Sequence, residues 1–326
     1  MMKRREFVTL LGGTAAWPLA ARAQQPTKIV RIGFLGSTSA SSFATRAEAF
    51  RSGLRDLGYE EGKNILIEFR WAEEKYDQLP ALAAELVRQE VAVLVTHGTP
   101  PTLAAKRATT AIPIVILYIG DAVAAGVVAS LRQPGGNVTG STYFLSELFA
   151  KRLELLKEAV PHVTEVAILV KPDNPLYVSM VQGLENPANA LNIRLQRFDA
   201  YRPSEFEAAF LAMSRRRVDA VVIAEDAVFL SNASAIADLA GRHSLPLAGF
   251  KELAEAGGLI GYGVNQLEMC RRGAVFVDKV IRGIKPGDIP VEQATKFETV
   301  LNMRAAKTLG VMIPTSILLR ADRVIE

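Results

Sequence analysis

Runs of β-branched and other apolar residues alternate with segments of helical period along most of the chain. Residues 29–35, 65–69, 91–95 and 112–117 are near-continuous apolar runs, the pattern of strands in a parallel sheet covered on both faces. Residues 44–57 and 79–88 carry the helical spacing of covering helices. After the turn cluster Pro134-Gly135-Gly136-Asn137 the alternation starts again. Strands are predicted over 166–170, 193–198, 220–223 and 245–250, with helices over 148–159, 175–191, 204–216 and 233–242. The spacing predicts a strand over 259–264, a long amphipathic helix over 267–282, a strand over 297–302 and a short helix over 304–309. These last elements do not complete a third domain, so they are expected to cross back and finish two lobes of like, doubly wound α/β topology. The expected division is 28–142 with 264–288 for one lobe, and 143–263 with 289–326 for the other.

The first residues follow a different pattern. Lys3-Arg4-Arg5-Glu6-Phe7 precedes an apolar run ending at Leu19, and Ala21-Arg22-Ala23 stands before Gln24. A basic head, a short apolar middle and small residues two apart are the parts of an export signal over 1–23. The arginine pair points to the twin-arginine route. The run 7–19 is too short to span a bilayer, which takes about 20 residues. Localisation in the periplasm is therefore expected.

Residues 1–23 hold +3 of the formal net charge of +4, so the remaining chain sits near +1 and charge supplies no footprint for nucleic acid. At 326 residues and 49% hydrophobic, the chain can fill two cores. Cys270 is the single cysteine, so no internal disulfide is possible, and its place in a helical pattern predicts a buried small hydrophobe.

In open α/β sheets, ligands bind beyond the C-terminal ends of strands. In the first half those turns are Gly36-Ser37-Thr38-Ser39, His97-Gly98-Thr99-Pro100 and Gly120-Asp121, with Thr99 expected as the cap of a helix whose N–H groups face a ligand. The second half offers Lys171-Pro172-Asp173-Asn174-Pro175, with Asn174 as cap, and Glu225-Asp226. Tyr177 is placed to present an aromatic wall, and Tyr262 lies on a strand returning across the hinge. Helix N-termini facing acidic residues would suit a zwitterion. The candidate ligand-binding residues are thus Ser37, Thr38, Gly98, Thr99, Asp121, Asn174, Tyr177, Glu225 and Tyr262. Glu73, Glu74, Lys63 and Lys75 are expected as solvated surface.

Catalytic motifs are missing: no Gly-x-Gly-x-x-Gly follows Leu35, and no phosphate loop, Gly-x-Ser-x-Gly or His-Glu-x-x-His occurs. His97, His162 and His243 are scattered, with no metal-ligand spacing, and only His97 falls at a strand end, where it is expected to line the cleft or orient a loop. A non-enzymatic protein without cofactor or metal is expected.

Several blocks carry a family likeness. Gly53-Leu54-Arg55-Asp56-Leu57-Gly58-Tyr59-Glu60-Glu61-Gly62-Lys63-Asn64-Ile65, Pro134-Gly135-Gly136-Asn137-Val138-Thr139-Gly140, Ala256-Gly257-Gly258-Leu259 and Pro290-Val291-Glu292-Gln293-Ala294-Thr295-Lys296-Phe297-Glu298 resemble the bacterial ABC-transporter substrate-binding family that includes tryptophan/tyrosine binding components. The resemblance implies a type I periplasmic-binding-protein fold, with two Rossmann-like lobes joined by a three-crossing hinge. It also implies capture of a small-molecule ligand, an amino acid or other small carboxylate, by a monomer that delivers it to an ABC permease in the inner membrane. A ligand sensor feeding a membrane receptor would use the same fold. Family members often carry Gly-Asp-Pro-Val where this chain has Gly120-Asp121-Ala122-Val123, and a Pro-rich turn where it has Ala224-Glu225-Asp226-Ala227. The acidic pair changes the polarity of the upper cleft.

Overall fold

The computed structural model describes residues 29–326, apart from the side chains of 177–180; the expected export signal and Gln24 lie outside the described residues. The chain begins with β1 (Val30–Gly36), α1 (Ala40–Asp56), β2 (Ile65–Trp71), α2 (Leu79–Arg88), β3 (Val93–Thr96), α3 (Thr99–Ala108), β4 (Ile114–Ile116) and β5 (Val138–Thr142). The second series is α4 (Leu145–Ala159), β6 (Glu165–Val170), α5 (Tyr177–Ala190), β7 (Arg194–Asp199), α6 (Phe206–Arg215), β8 (Ala220–Ile223), α7 (Ala227–Ser231), α8 (Ala233–Arg242), β9 (Leu247–Gly249), α9 (Lys251–Glu255) and β10 (Ile260–Val264). The chain ends with α10 (Gln266–Ile281), β11 (Glu292–Gln293), β12 (Phe297–Asn302), α11 (Met303–Leu309), α12 (Thr315–Leu318) and β13 (Arg323–Ile325).

These strands form two sheets, one per lobe. The first has the order β11-β5-β4-β3-β1-β2 and is parallel throughout. The second has the order β13-β12-β10-β9-β8-β6-β7 and is parallel except where β10 meets β12. The inner strands β3, β4 and β8 are buried at every position, because helices cover both faces. The edge strands β2 and β7 instead interleave Glu68 and Arg70, or Arg194 and Gln196, among their apolar residues.

The chain passes between the sheets three times: after β5, at Asn265 between β10 and α10, and in the segment 294–296 before β12. Asn265 makes its crossing sharp by capping α10, accepting from Glu268 N at 3.0 Å. Helix α10 then packs along α1 of the first lobe, where a methyl group on Gly53 would stand 2.3 Å from Arg271 O. Cys270 is fully buried in α10, and burial pushes its thiol up to about 12, as suits a packing residue.

Two boundaries differ from the expected division. Val264 still belongs to the second sheet, and Glu292–Gln293 pairs with β5 of the first. Ala294 N also donates to Thr142 O at 2.8 Å, so the chain stays on the first lobe beyond residue 289.

Candidate functional site

The C-terminal ends of the strands in the two sheets face one another across a cleft holding a cavity of about 50 Å³. Ser37, at the end of β1, is fully buried in its wall, and its hydroxyl has no hydrogen-bond partner among the described residues. His97 follows β3 and is 1% exposed, with its ring stacked on Phe43 at 4.0 Å. Tyr118 OH lies 3.4 Å from its Nδ1, while Nε2 has no partner among the described residues. Burial, with Arg46 nearby, pushes the imidazole down to about 3, so it is neutral at physiological pH.

The start of α3 departs from the expectation by one residue. Gly98 occupies the cap position with φ +71°, and Thr99 is the first helical residue with no capping hydrogen bond. The left-handed cap conformation suits glycine, and Thr99 is displaced into the helix. Pro100 and Pro101 then leave the first turn with few N–H groups, because proline has none. The terminus therefore offers a ligand its dipole and Thr99 N–H rather than a full set of donors.

Across the cleft, Asp226 is the cap of α7, accepting from Val228 N at 2.8 Å. The same carboxylate accepts from Asn174 Nδ2 at 2.8 Å and from Tyr76 OH of the first lobe at 2.8 Å. Burial raises Asp226 to about 6, although the hydrogen bonds from Asn174, Val228 and Tyr76 pull the other way. Asn174 is not the expected helix cap: its Oδ1 accepts from Leu176 N at 3.0 Å in the preceding turn, and α5 begins at Tyr177 with Leu176 in the cap position. Its amide is spent orienting Asp226.

Glu225, beside Asp226, lines the cavity and is paired with Arg152 of α4, whose Nη1 lies 2.7 Å from Glu225 Oε2. Arg152 is fully buried and its Nε donates to Tyr262 O at 2.8 Å. Tyr262 thus contributes a carbonyl that fixes Arg152, while its ring stacks on Phe297 at 5.9 Å, outside the cavity wall. Lys171 is also buried, with Nζ 2.8 Å from Tyr201 O, 2.7 Å from Asp173 Oδ1 and 4.4 Å above the Tyr76 ring.

Of the candidate residues, the cleft brings together Ser37, Gly98, Thr99, Asn174 and Glu225. Thr38 is buried beside Ser37 but does not line the cavity. Asp121 is also off the cavity wall, where it caps a turn by accepting from Val123 N and Ala124 N at 3.0 and 2.9 Å. The side chain of Tyr177 lies outside the described residues. Tyr76, Tyr118, Tyr143, Asp226 and Gln266 are among the other residues of the wall. Glu74, expected as solvated surface, accepts from Asn232 Nδ2 of the second lobe at 3.0 Å. Arg46 makes a further link, reaching Glu252 at 3.4 Å and Gln266 at 2.8 Å.

A larger groove, about 450 Å³, runs along the outer side of the hinge beside α10. Its charged groups pair with each other, Arg272 with Glu292 and Arg271 with Asp56, and from the second sheet it is reached by the end of β10 at Val264, whereas the smaller cavity is lined from both lobes. The smaller, interlobe cavity is therefore the candidate site. Among the described residues no group of His, Cys, Asp and Glu is placed to hold a metal, and no helix is long and apolar enough to cross a membrane.

The family model for ABC transporter substrate binding protein matches residues 32–325. The chain belongs to this family. The substrate-binding protein is 27% identical to a tyrosine-binding protein of Clostridioides difficile over 263 residues, 80% of this chain and 75% of the relative. A conserved domain protein from Vibrio cholerae superposes with a TM-score of 0.86 at 27% identity, over 91% of this chain and all of that one. The ABC domain from Streptococcus pneumonia in complex with L-Trp gives 0.82 at 25% identity, over 90% of this chain and all of that one. Two lobes with parallel-dominated sheets and a solute-binding role in ABC transport are thus established for this substrate-binding protein.

Proposed function

We propose that this substrate-binding protein closes on a small molecule, an amino acid or other small carboxylate, between its lobes, without catalysing any reaction on it, and hands it to a permease in the inner membrane. The observation carrying this reading is the interlobe cavity at the strand ends of both sheets, where the unpartnered Ser37 hydroxyl and His97 Nε2 face the ion-paired Glu225. A buried polar group left unpaired is costly, and a bound ligand relieves that cost. The tryptophan-bound and tyrosine-binding relatives support an amino-acid-like ligand. The export pattern over 1–23 supports a periplasmic protein that starts at Gln24, and the two lobes as divided by the three crossings are the bodies that move. The protein acts as a monomer, without nucleic acid.

Mass spectrometry of small molecules released on denaturing the freshly purified protein tests this reading. The recovered compound, added back at about a hundredfold excess over Kd, should stabilise the protein by about 2.7 kcal/mol. Turnover of that compound into a product, instead of its recovery intact, would overturn the reading.

A further inference from the structure

Six residues form a closed ring around the crossing at Asn265. Arg46 of α1 donates from Nε to Gln266 Oε1 at 2.8 Å and from Nη2 to Glu252 Oε1 at 3.4 Å. Gln266 follows Asn265 in the chain, and Asn265 Nδ2 donates to Glu298 Oε1 at 2.6 Å. Glu298 Oε2 accepts from Lys251 Nζ at 2.5 Å, and Lys251 precedes Glu252. Burial pushes Glu298 up, yet hydrogen bonds from Lys251 and Asn265 hold it below the ordinary carboxylate range.

The ring has a half on each lobe. Arg46 and Gln266 lie on α1 and α10, which pack together on the first, while Lys251, Glu252 and Glu298 lie on α9 and β12 of the second. The halves meet covalently at Asn265 and non-covalently at Arg46–Glu252, so swinging the lobes apart about this crossing opens the ring at that pair. Among the ion pairs of the described residues, it is the one that joins lobe to lobe; Lys296–Glu268, at 3.6 Å, lies on a crossing itself. Gln266 is 4% exposed and lines the cavity, so its amide is fixed while it accepts the Nε–H. The guanidinium presents its donors in one rigid plane, and this bond therefore leaves Nη2 directed at Glu252.

The other contacts across the cleft act over a shorter range. Tyr76–Asp226 and Glu74–Asn232 are hydrogen bonds, which weaken steeply once donor and acceptor part. Attraction between charges falls only with the inverse of distance. Arg46 and Glu252 also stand beside the crossing, where a given opening angle separates them least. Resting on the reading that the lobes close around a solute, we propose that Arg46 and Glu252 form a hinge-side clasp that draws the lobes together before the hydrogen bonds of Tyr76 and Glu74 can form, with Gln266 as the positioning residue that directs Arg46.

Pulsed dipolar spectroscopy of spin labels at Arg107→Cys and Asp238→Cys, exposed positions on α3 and α8 of opposite lobes, tests the proposal. The protein is freed of solute by unfolding, dialysis and refolding, and is labelled afterwards, when Cys270 is buried. This background should show a short-distance and a long-distance population. Arg46→Met and Glu252→Gln, each checked for a cooperative melt, should lower the short-to-long ratio about fivefold. The double variant should fall no further, because either change removes the same pair. Gln266→Leu should lower the ratio about twofold, and without solute present a lost ligand contact cannot be the cause. Raising NaCl from about 0.1 to about 1 M shortens the Debye length from about 10 to about 3 Å. It should move the parent towards the long distance and leave Arg46→Met unchanged, a readout on the parent that does not depend on how a variant folds. Arg51→Met, which breaks the 2.9 Å Arg51–Glu61 pair within the first lobe, should match the parent. A parent with no short-distance population, equal ratios in the parent and Arg46→Met, or multiplying losses in the double variant would each overturn the proposal. Recovery of an intact solute from the freshly purified protein would in those cases leave the solute-binding reading standing.

Discussion

The two walls of the cleft are built from opposite materials. The first lobe backs its wall with rings: Phe34 packs on Phe43 and Trp71 at 5.5 and 5.3 Å, and Phe43 stacks on a neutral His97. The second lobe lines its wall with Glu225 and Asp226 and backs it with further ions, Arg152 paired with Glu225 and Lys171 with Asp173, while Asp226 sits among hydrogen bonds from three residues. Rings hold position by close packing and need no partner of opposite charge. Buried ions must be paired, and each pair is set in place before a ligand arrives. Shape is thus imposed by one lobe and charge by the other.

The strongest way to break this contrast is to remove Arg152. Arg152→Ala leaves Glu225 without its buried partner and should cost about 3–5 kcal/mol of stability in chemical denaturation. Replacing both partners, as Arg152→Met with Glu225→Leu, should restore most of that loss, because apolar groups of similar volume need no pairing. Ligand binding should remain lost in the double variant. If instead the single variant were as stable as the parent, the second lobe's wall would not depend on paired charge.

Acid sharpens the comparison, since the two lobes should respond with opposite sign. His97 is depressed from 6.5 to about 3, so the stability of its neutral form is intact above about pH 6.5 and is lost as pH falls towards 3. Asp226 is raised from 3.8 to about 6, so its contribution is full below about pH 3.8 and is lost as pH rises through 6. At about 1.4 kcal/mol per pH unit, going from pH 7 to pH 5 should cost about 2 kcal/mol through His97 and return about 1 kcal/mol through Asp226. Urea denaturation at the two pH values should therefore show a smaller acid loss in His97→Gln than in the parent. Asp226→Asn should show a larger one. Parallel pH dependence in parent and both variants would refute the assignment of these effects to the two walls.

The same contrast explains which parts were legible in the sequence. Apolar runs marked the inner strands such as β3 and β8, because burial on both faces leaves an uninterrupted pattern. The strands Glu292–Gln293 and Arg323–Ile325 were missed, being two and three residues long and mostly polar or exposed. The rule that ligands meet strand ends located Ser37, Gly98, Thr99, Asn174 and Glu225. It could not reach Arg152, which sits in Lys151-Arg152-Leu153-Glu154 and reads like a solvated helix face. Only the packing of α4 beneath β10 buries it. Tyr76 was equally hidden in a charged loop, and becomes part of the site because that loop meets the other lobe.

That meeting yields the smallest and most specific expected effect. Tyr76 belongs to the first lobe and Asp226 to the second, so their 2.8 Å hydrogen bond exists only while the lobes are together. Tyr76→Phe removes this bond but keeps the ring under Lys171 Nζ. Asp226 Oδ1 still accepts from Val228 N, so no buried acceptor is left empty. The loss should then be about 0.5–1.5 kcal/mol, the net worth of one hydrogen bond. It should appear in ligand affinity, because closing and binding are coupled, and hardly at all in the thermal unfolding of the unliganded protein. Tyr76→Ala removes the ring as well and adds the loss of the cation–π contact, about 0.5–2 kcal/mol more. Calorimetric titration of both variants with the identified ligand separates the two parts. Equal affinities for parent and Tyr76→Ala would mean that the loop carrying Tyr76 takes no part in closure, and that the two walls act independently.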